Sequence, residues 1–174
     1  MREEIIIAGS GGQGIMFLGN LLCNVAVSLN KYTTFYPSYG AEMRGGTANC
    51  AVIISDDEIG SPVIAEPSIL IIMNEQSYNK YLPKWLKSQK GGLLFFNSSL
   101  IYSKSSGAIY VPATEIAVKL GDVRSANMVM LGKFIKETKF FSVASVNDII
   151  KKVLENKKNL LEINLSAFTE GAKL

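Results

Sequence analysis

Apolar residues along this chain follow two rhythms. Short β-branched or aromatic runs at residues 4–8, 33–36, 47–54, 69–73, 93–96 and 109–111 read as strands. Elsewhere the spacing shifts to three and four. Ile15, Leu18, Leu22, Val25 and Leu29 form one stripe of a helix over residues 14–29, with Asn20 and Asn24 on another face. A helix is expected over 75–90, where Pro83 divides it in two or kinks it. Further helices are expected over 114–120, stopped by Gly121, and over 125–139. A capping-box spacing from Ser145 to Asp148 opens another, reaching about Glu155, and an amphipathic tail helix follows over 157–168. Residues 37–46, 55–60 and 97–107 read as loops.

Strands alternate with helices at first, and helices dominate the end. That order predicts a single domain over residues 1–174. Its class is α/β: a three-layer sandwich on a largely parallel or mixed sheet, with a Rossmann-like start and a helical C-terminus covering one face. A length of 174 residues suits one domain, and there is no repeat or linker.

Composition removes several classes of function. A chain that is 48% hydrophobic and 19% charged has the material for a core, which excludes intrinsic disorder. The net charge of +3 comes from scattered lysines, so no nucleic-acid footprint emerges. Histidine is absent, which excludes Ser-His-Asp catalysis and most zinc sites. Cys23 and Cys50 form no C-x-x-C pair and are too few for a four-cysteine iron–sulfur cluster, so both are expected to be reduced, buried thiols and no metal is expected. No run approaches the ~18 apolar residues of a membrane span, and the N-terminus lacks the pattern of a secretory signal. A cytoplasmic location is expected.

Two segments carry candidate chemistry. Gly9-Ser10-Gly11-Gly12-Gln13-Gly14 fits G-x-G-x-x-G between a strand and a helix. Such a loop lets backbone approach an anion closely at a helix N-terminus. A dinucleotide site also needs an acid roughly 20 residues on, and the second strand ends at Tyr36 without one. Three readings stand: a nucleotide loop, an acceptor for another phosphate or carboxylate, or a tight turn packed on a partner.

The second segment, Tyr36-Pro37-Ser38-Tyr39-Gly40-Ala41-Glu42-Met43-Arg44-Gly45-Gly46-Thr47, carries more functional groups than a connection needs. A plain surface pair between Glu42 and Arg44 would contribute only ~0.2–1 kcal/mol. The functional alternative sets Arg44 and adjacent amides against an anion or an acidic partner. Asn127 opens a later helix, where its side chain acts as core, cap or interface residue.

Both glycine segments resemble the gamma subunit of 2-oxoacid:ferredoxin oxidoreductases. Ile59-Gly60-Ser61-Pro62, Val111-Pro112-Ala113-Thr114-Glu115-Ile116-Ala117, Ala126-Asn127-Met128-Val129-Met130-Leu131-Gly132 and Asn164-Leu165-Ser166-Ala167-Phe168 extend the similarity over nearly the whole chain. The stand-alone length looks most like the 2-oxoglutarate type; pyruvate and branched-chain relatives share the motifs. The resemblance implies an accessory subunit, inert alone, of a complex that converts a 2-oxoacid, CoA and an oxidised acceptor into acyl-CoA, carbon dioxide and reduced ferredoxin or flavodoxin. It implies alpha, beta and in some cases delta partners that hold thiamine diphosphate, magnesium and iron–sulfur clusters, with no cofactor bound by this chain alone. It assigns no catalytic residue here. Gly9, Gly11, Gly12, Gln13, Gly14, Ser38, Tyr39, Gly40, Glu42, Arg44, Gly45, Gly46 and Asn127 become ligand or interface residues, with Arg44 facing a CoA phosphate or the substrate's distal carboxylate. A free-standing nucleotide-binding domain is the reading from another class.

Overall fold

The computed structural model describes residues 1–39, 46–87 and 91–174. Its elements in chain order are β1 (Arg2–Ser10), α1 (Ile15–Ser28), β2 (Tyr32–Tyr39), β3 (Thr47–Ser55), β4 (Ile69–Ile72), α2 (Glu75–Lys87), β5 (Leu93–Asn97) and β6 (Ala108–Val111). The helices α3 (Ala113–Lys119), α4 (Ala126–Thr138), α5 (Val143–Val153) and α6 (Lys158–Lys173) follow, with a 3₁₀ turn at Val123–Ser125 before α4.

One sheet holds all six strands in the order β2-β3-β1-β4-β5-β6. β4 is parallel to β1, and β5 and β6 continue in that direction. β3 runs antiparallel to both of its neighbours, so β2 points the same way as β1. The expected strand–loop–helix start is therefore kept as a crossover from β1 through α1 to β2. β3 then folds back into the gap between them, and the sheet is mixed.

Two unequal cores make the three layers. Ile5, Ile7, Val52, Ile71 and Phe95 face one side, under α1, α3, α4, α5 and α6, where Leu18, Leu22, Met128, Phe134 and Phe168 meet them. Leu70, Ile72, Leu94 and Phe96 face the other side, where Leu82 of α2 and Ile101 complete a smaller cluster. Each fully buried Leu, Ile or Phe contributes roughly 1.5–3 kcal/mol, so the larger core dominates stability. The helical C-terminus covers one face, as the pattern predicts.

Three boundaries differ from expectation. β2 runs through Pro37, Ser38 and Tyr39 instead of ending at Tyr36. Proline is tolerated there because β2 is an edge strand with one side free of ladder bonds. α2 continues through Pro83 as one helix over Glu75–Lys87. α5 starts three residues early: Ser142 is its N-cap, and the Ser142 hydroxyl accepts the Ser145 N–H at 3.0 Å.

Candidate functional site

The loop between β1 and α1 is built around two strained glycines. Gly12 has φ 91° and open space where a Cβ would stand. Gly14 caps α1 with φ 68°, and a Cβ there would lie 2.3 Å from Asn127 Nδ2. No side chain caps α1 and its first turn holds no acid, so the first helical N–H groups are open to an anion, while the Ser10, Gly11 and Gln13 amides are engaged within the fold. Asn127 is only 3% exposed, and its Nδ2 donates to the Gly14 carbonyl at 3.1 Å. Its Oδ1 is buried without a hydrogen-bond partner. Asn127 thus fastens α4 to the loop across the fold.

β1 and β4 lie side by side and parallel, yet α1 and α2 leave them toward opposite faces of the sheet. In open α/β sheets this is where a crevice accepts nucleotides. Here the chain bridges it. Gln13 accepts the Ser10 N–H at 2.8 Å and donates from Nε2 to the Met73 carbonyl at 3.1 Å. Buried Ser77 donates to the Gly9 carbonyl at 3.2 Å, and its own N–H reaches Asn74 Oδ1 at 2.9 Å. Buried Asn97 donates to Met73 O at 3.2 Å and to Thr114 Oγ1 at 2.8 Å. With no acid in β2, the carboxylate that holds the ribose in a dinucleotide site is missing at this point. Gln13 positions the loop; both of its polar atoms are engaged within the fold.

The two sequence segments meet on one edge. The Gly11 N–H donates to the Gly46 carbonyl at 3.2 Å, and Ser10 is opposite Thr47. Half-buried Ser38 is opposite Asn49, and Tyr39 opposite Ala48. Gly40, Glu42, Arg44 and Gly45, with the Glu42–Arg44 pairing and the side chain of Tyr39, lie outside the described residues.

A cavity of about 210 Å³ opens beside the loop. Gly12, Gly14 and Asn127 line it together with Arg124, Lys157 and Asn164, over an apolar floor that includes Phe17. Arg124 makes a two-point contact with Asp122, Nε to Oδ1 at 3.0 Å and Nη2 to Oδ2 at 2.8 Å. Hydrogen bonding from Arg124 holds the Asp122 carboxyl below its ordinary range, and the same pairing raises the guanidinium. Lys157 and the helix N-terminus are groups of the kind that suit a phosphate or carboxylate, while Asp122, which also lines the cavity, pairs with Arg124. Arg124 and Lys157 escape a sequence reading because they reach the loop from segments over 100 residues away. The only signal was the nearness of Arg124 to the motif around Asn127.

Burial pushes the Cys50 thiol up to about 12 and raises that of half-buried Cys23. Among the described residues no cluster of His, Cys, Asp or Glu is placed to hold a metal ion, and no helix is long and apolar enough to cross a membrane.

Fold and site together define an α/β domain whose glycine-loop edge carries cationic side chains, with no cluster of metal-ligating residues among the described ones. The chain belongs to the pyruvate ferredoxin/flavodoxin oxidoreductase family, which it matches over residues 4–174. It is 36% identical, over 98% of its length, to ketoisovalerate oxidoreductase subunit VorA of Methanothermobacter thermautotrophicus, and spans 36% of that relative. It is 35% identical to 2-oxoglutarate synthase subunit KorC of Methanocaldococcus jannaschii, covering 98% of this chain and 92% of KorC. The structure of a keto/oxoacid ferredoxin oxidoreductase gamma subunit from Geobacter sulfurreducens superposes with a TM-score of 0.79 at 27% identity, over 97% of this chain and 95% of that one. The family resemblance read from the motifs thus holds along the whole chain.

Proposed function

We propose that this chain serves as the gamma subunit of a 2-oxoglutarate:acceptor oxidoreductase, which converts 2-oxoglutarate and CoA into succinyl-CoA and carbon dioxide while reducing ferredoxin or flavodoxin. KorC, matched nearly end to end, favours 2-oxoglutarate over the ketoisovalerate of VorA. The observation that carries the reading is the helix N-terminus at Gly12 and Gly14 beside Arg124 and Lys157. A helix N-terminus flanked by cations fits the phosphates of CoA. Gly46, which follows the segment containing Arg44, lies on the same edge.

Thiamine diphosphate, with magnesium, and iron–sulfur clusters would supply the decarboxylation and electron-transfer chemistry from the alpha and beta partners, and from a delta subunit in complexes that have one. This chain's residues do not fit those groups: it has no histidine, its thiols are buried or half-buried, and Asp122 is taken up by Arg124. Its part is to bind and orient CoA against the partners' reactive centre, in the cytoplasm. Alone, it is inert.

The test is native mass spectrometry on the chain purified anaerobically from its own cells, followed by assays on what emerges. The expected result is a complex with larger subunits carrying thiamine diphosphate and clusters, turning over 2-oxoglutarate faster than pyruvate or ketoisovalerate. Recovery alone, or only with copies of itself, overturns the subunit reading. A preference for another 2-oxoacid overturns only the substrate. Arg44→Ala should raise KM for CoA or for the 2-oxoacid; unchanged values for both leave the loop an assembly role.

A further inference from the structure

A second cavity, of about 410 Å³, opens on the sheet face covered by α2, toward the N-terminal ends of β1 and β4. None of its lining residues belongs to the glycine-loop edge. Its floor is Ile6 and Leu70 of two adjacent strands, with Ile64 and Pro67 on one side and half-buried Tyr81 and Trp85 on the other. The volume lies within the 300–1,000 Å³ typical of small-molecule sites, and an apolar floor with a few polar groups at the mouth is their usual chemistry.

The mouth is basic. Exposed Lys84 and Lys87 stand there, and Lys80 continues the same helix face at i, i+4, i+7 spacing with its Nζ 5.4 Å from the Tyr81 ring centroid. Glu66 is the single carboxylate among the described lining residues, and it is itself engaged. We infer that this cavity binds a small aromatic monoanion, its flat body against Tyr81, Trp85 and the strand floor and its carboxylate between Lys84 and Lys87. The occupant is a small molecule because the sheet closes the cavity from below, leaving a pocket rather than a through-groove for a chain.

Trp85 is the only tryptophan in the sequence and so reports on its own cavity. Titrating the full chain with 3-phenylpropionate should change Trp85 emission saturably. Its dissociation constant should be about tenfold below that of neutral 3-phenylpropanamide, the advantage a charge-assisted contact gives at a half-open site. K84A/K87A should bring the acid to the level of the amide and leave the amide unchanged. Ala65→Phe, which narrows the mouth, should weaken both probes. Equal affinity for acid and amide, retention of the difference in K84A/K87A, or no saturable change with the circular dichroism intact would each overturn the inference.

Discussion

At the scale of single residues, Asn127 and Gly14 form one unit. The Asn127 amide donates to Gly14 while its oxygen is buried without a partner. Asn127→Ala loses one hydrogen bond but also removes an unsatisfied acceptor, so a cost near the low end of ~1–3 kcal/mol is expected. Asn127→Asp sets a carboxylate against a carbonyl oxygen and should cost more. Urea denaturation checks the order; an aspartate variant as stable as the alanine one would refute it. Asp56 offers a different kind of test. It binds the N-terminal ammonium of Met1 and the Lys31 ammonium, and the hydrogen bond from Lys31, first, then that from the N-terminus lower its pKa from 3.8 to about 2. Because the folded pKa is depressed, the stabilisation is complete above 3.8 and is lost as pH falls toward about 2. The Tm advantage over Asp56→Asn should therefore be constant near neutrality and vanish in that window. A gap unchanged at pH 2 would show that the pair contributes nothing through ionisation.

Elements show which patterns outrank others. The helical stripes of α1 and α4 and the runs of β1, β4 and β5 were readable because burial imposed their periods. Two prolines misled the boundaries. Pro37 marks a loop by composition, but an edge strand spares its missing N–H. Pro83 faces solvent in α2, and the helix continues because Leu82 and Trp85 anchor it to the smaller core. Pro83→Ala should thus stabilise the protein by about 2 kcal/mol, the ~3 kcal/mol helix penalty less the loss of unfolded-state restriction. Unchanged stability would mean that the helix has already adapted to the proline. The crossing of α4 and α6 predicts the opposite sign for another residue. A Cβ on Gly132 would stand 2.1 Å from the Phe168 carbonyl oxygen and 2.5 Å from the Ala172 nitrogen. Gly132→Ala gains up to ~1 kcal/mol of helix propensity yet must push two backbones apart, and overpacking of 1–3 kcal/mol should prevail. A stabilised variant in chemical denaturation would show that α6 moves freely.

Across the whole molecule, alternation of elements made the layers legible, whereas the placement of β3 required spatial information. The connection after Tyr39 is too short for the dozen residues of a parallel crossover, so β3 returns antiparallel; that it slots between β1 and β2 is decided by the sheet. The site divides the same way. Its glycines announced themselves, while Arg124 and Lys157 became visible only when α4 and α6 closed over the loop. Their assembly makes one further outcome specific. Arg124 is 71% exposed beside the cavity, so Arg124→Ala should leave Tm unchanged. In the assembled enzyme it removes a cation and frees the Asp122 carboxylate at the cavity, so KM for CoA should rise by about tenfold with kcat preserved. Asp122→Asn releases the guanidinium instead and should lower KM for CoA or leave it unchanged. Different responses from the two partners of one pair cannot come from loss of the pair itself, since both variants break the same contact. If both variants keep the parent KM, the anion-accepting edge serves the partner subunits and CoA lies elsewhere.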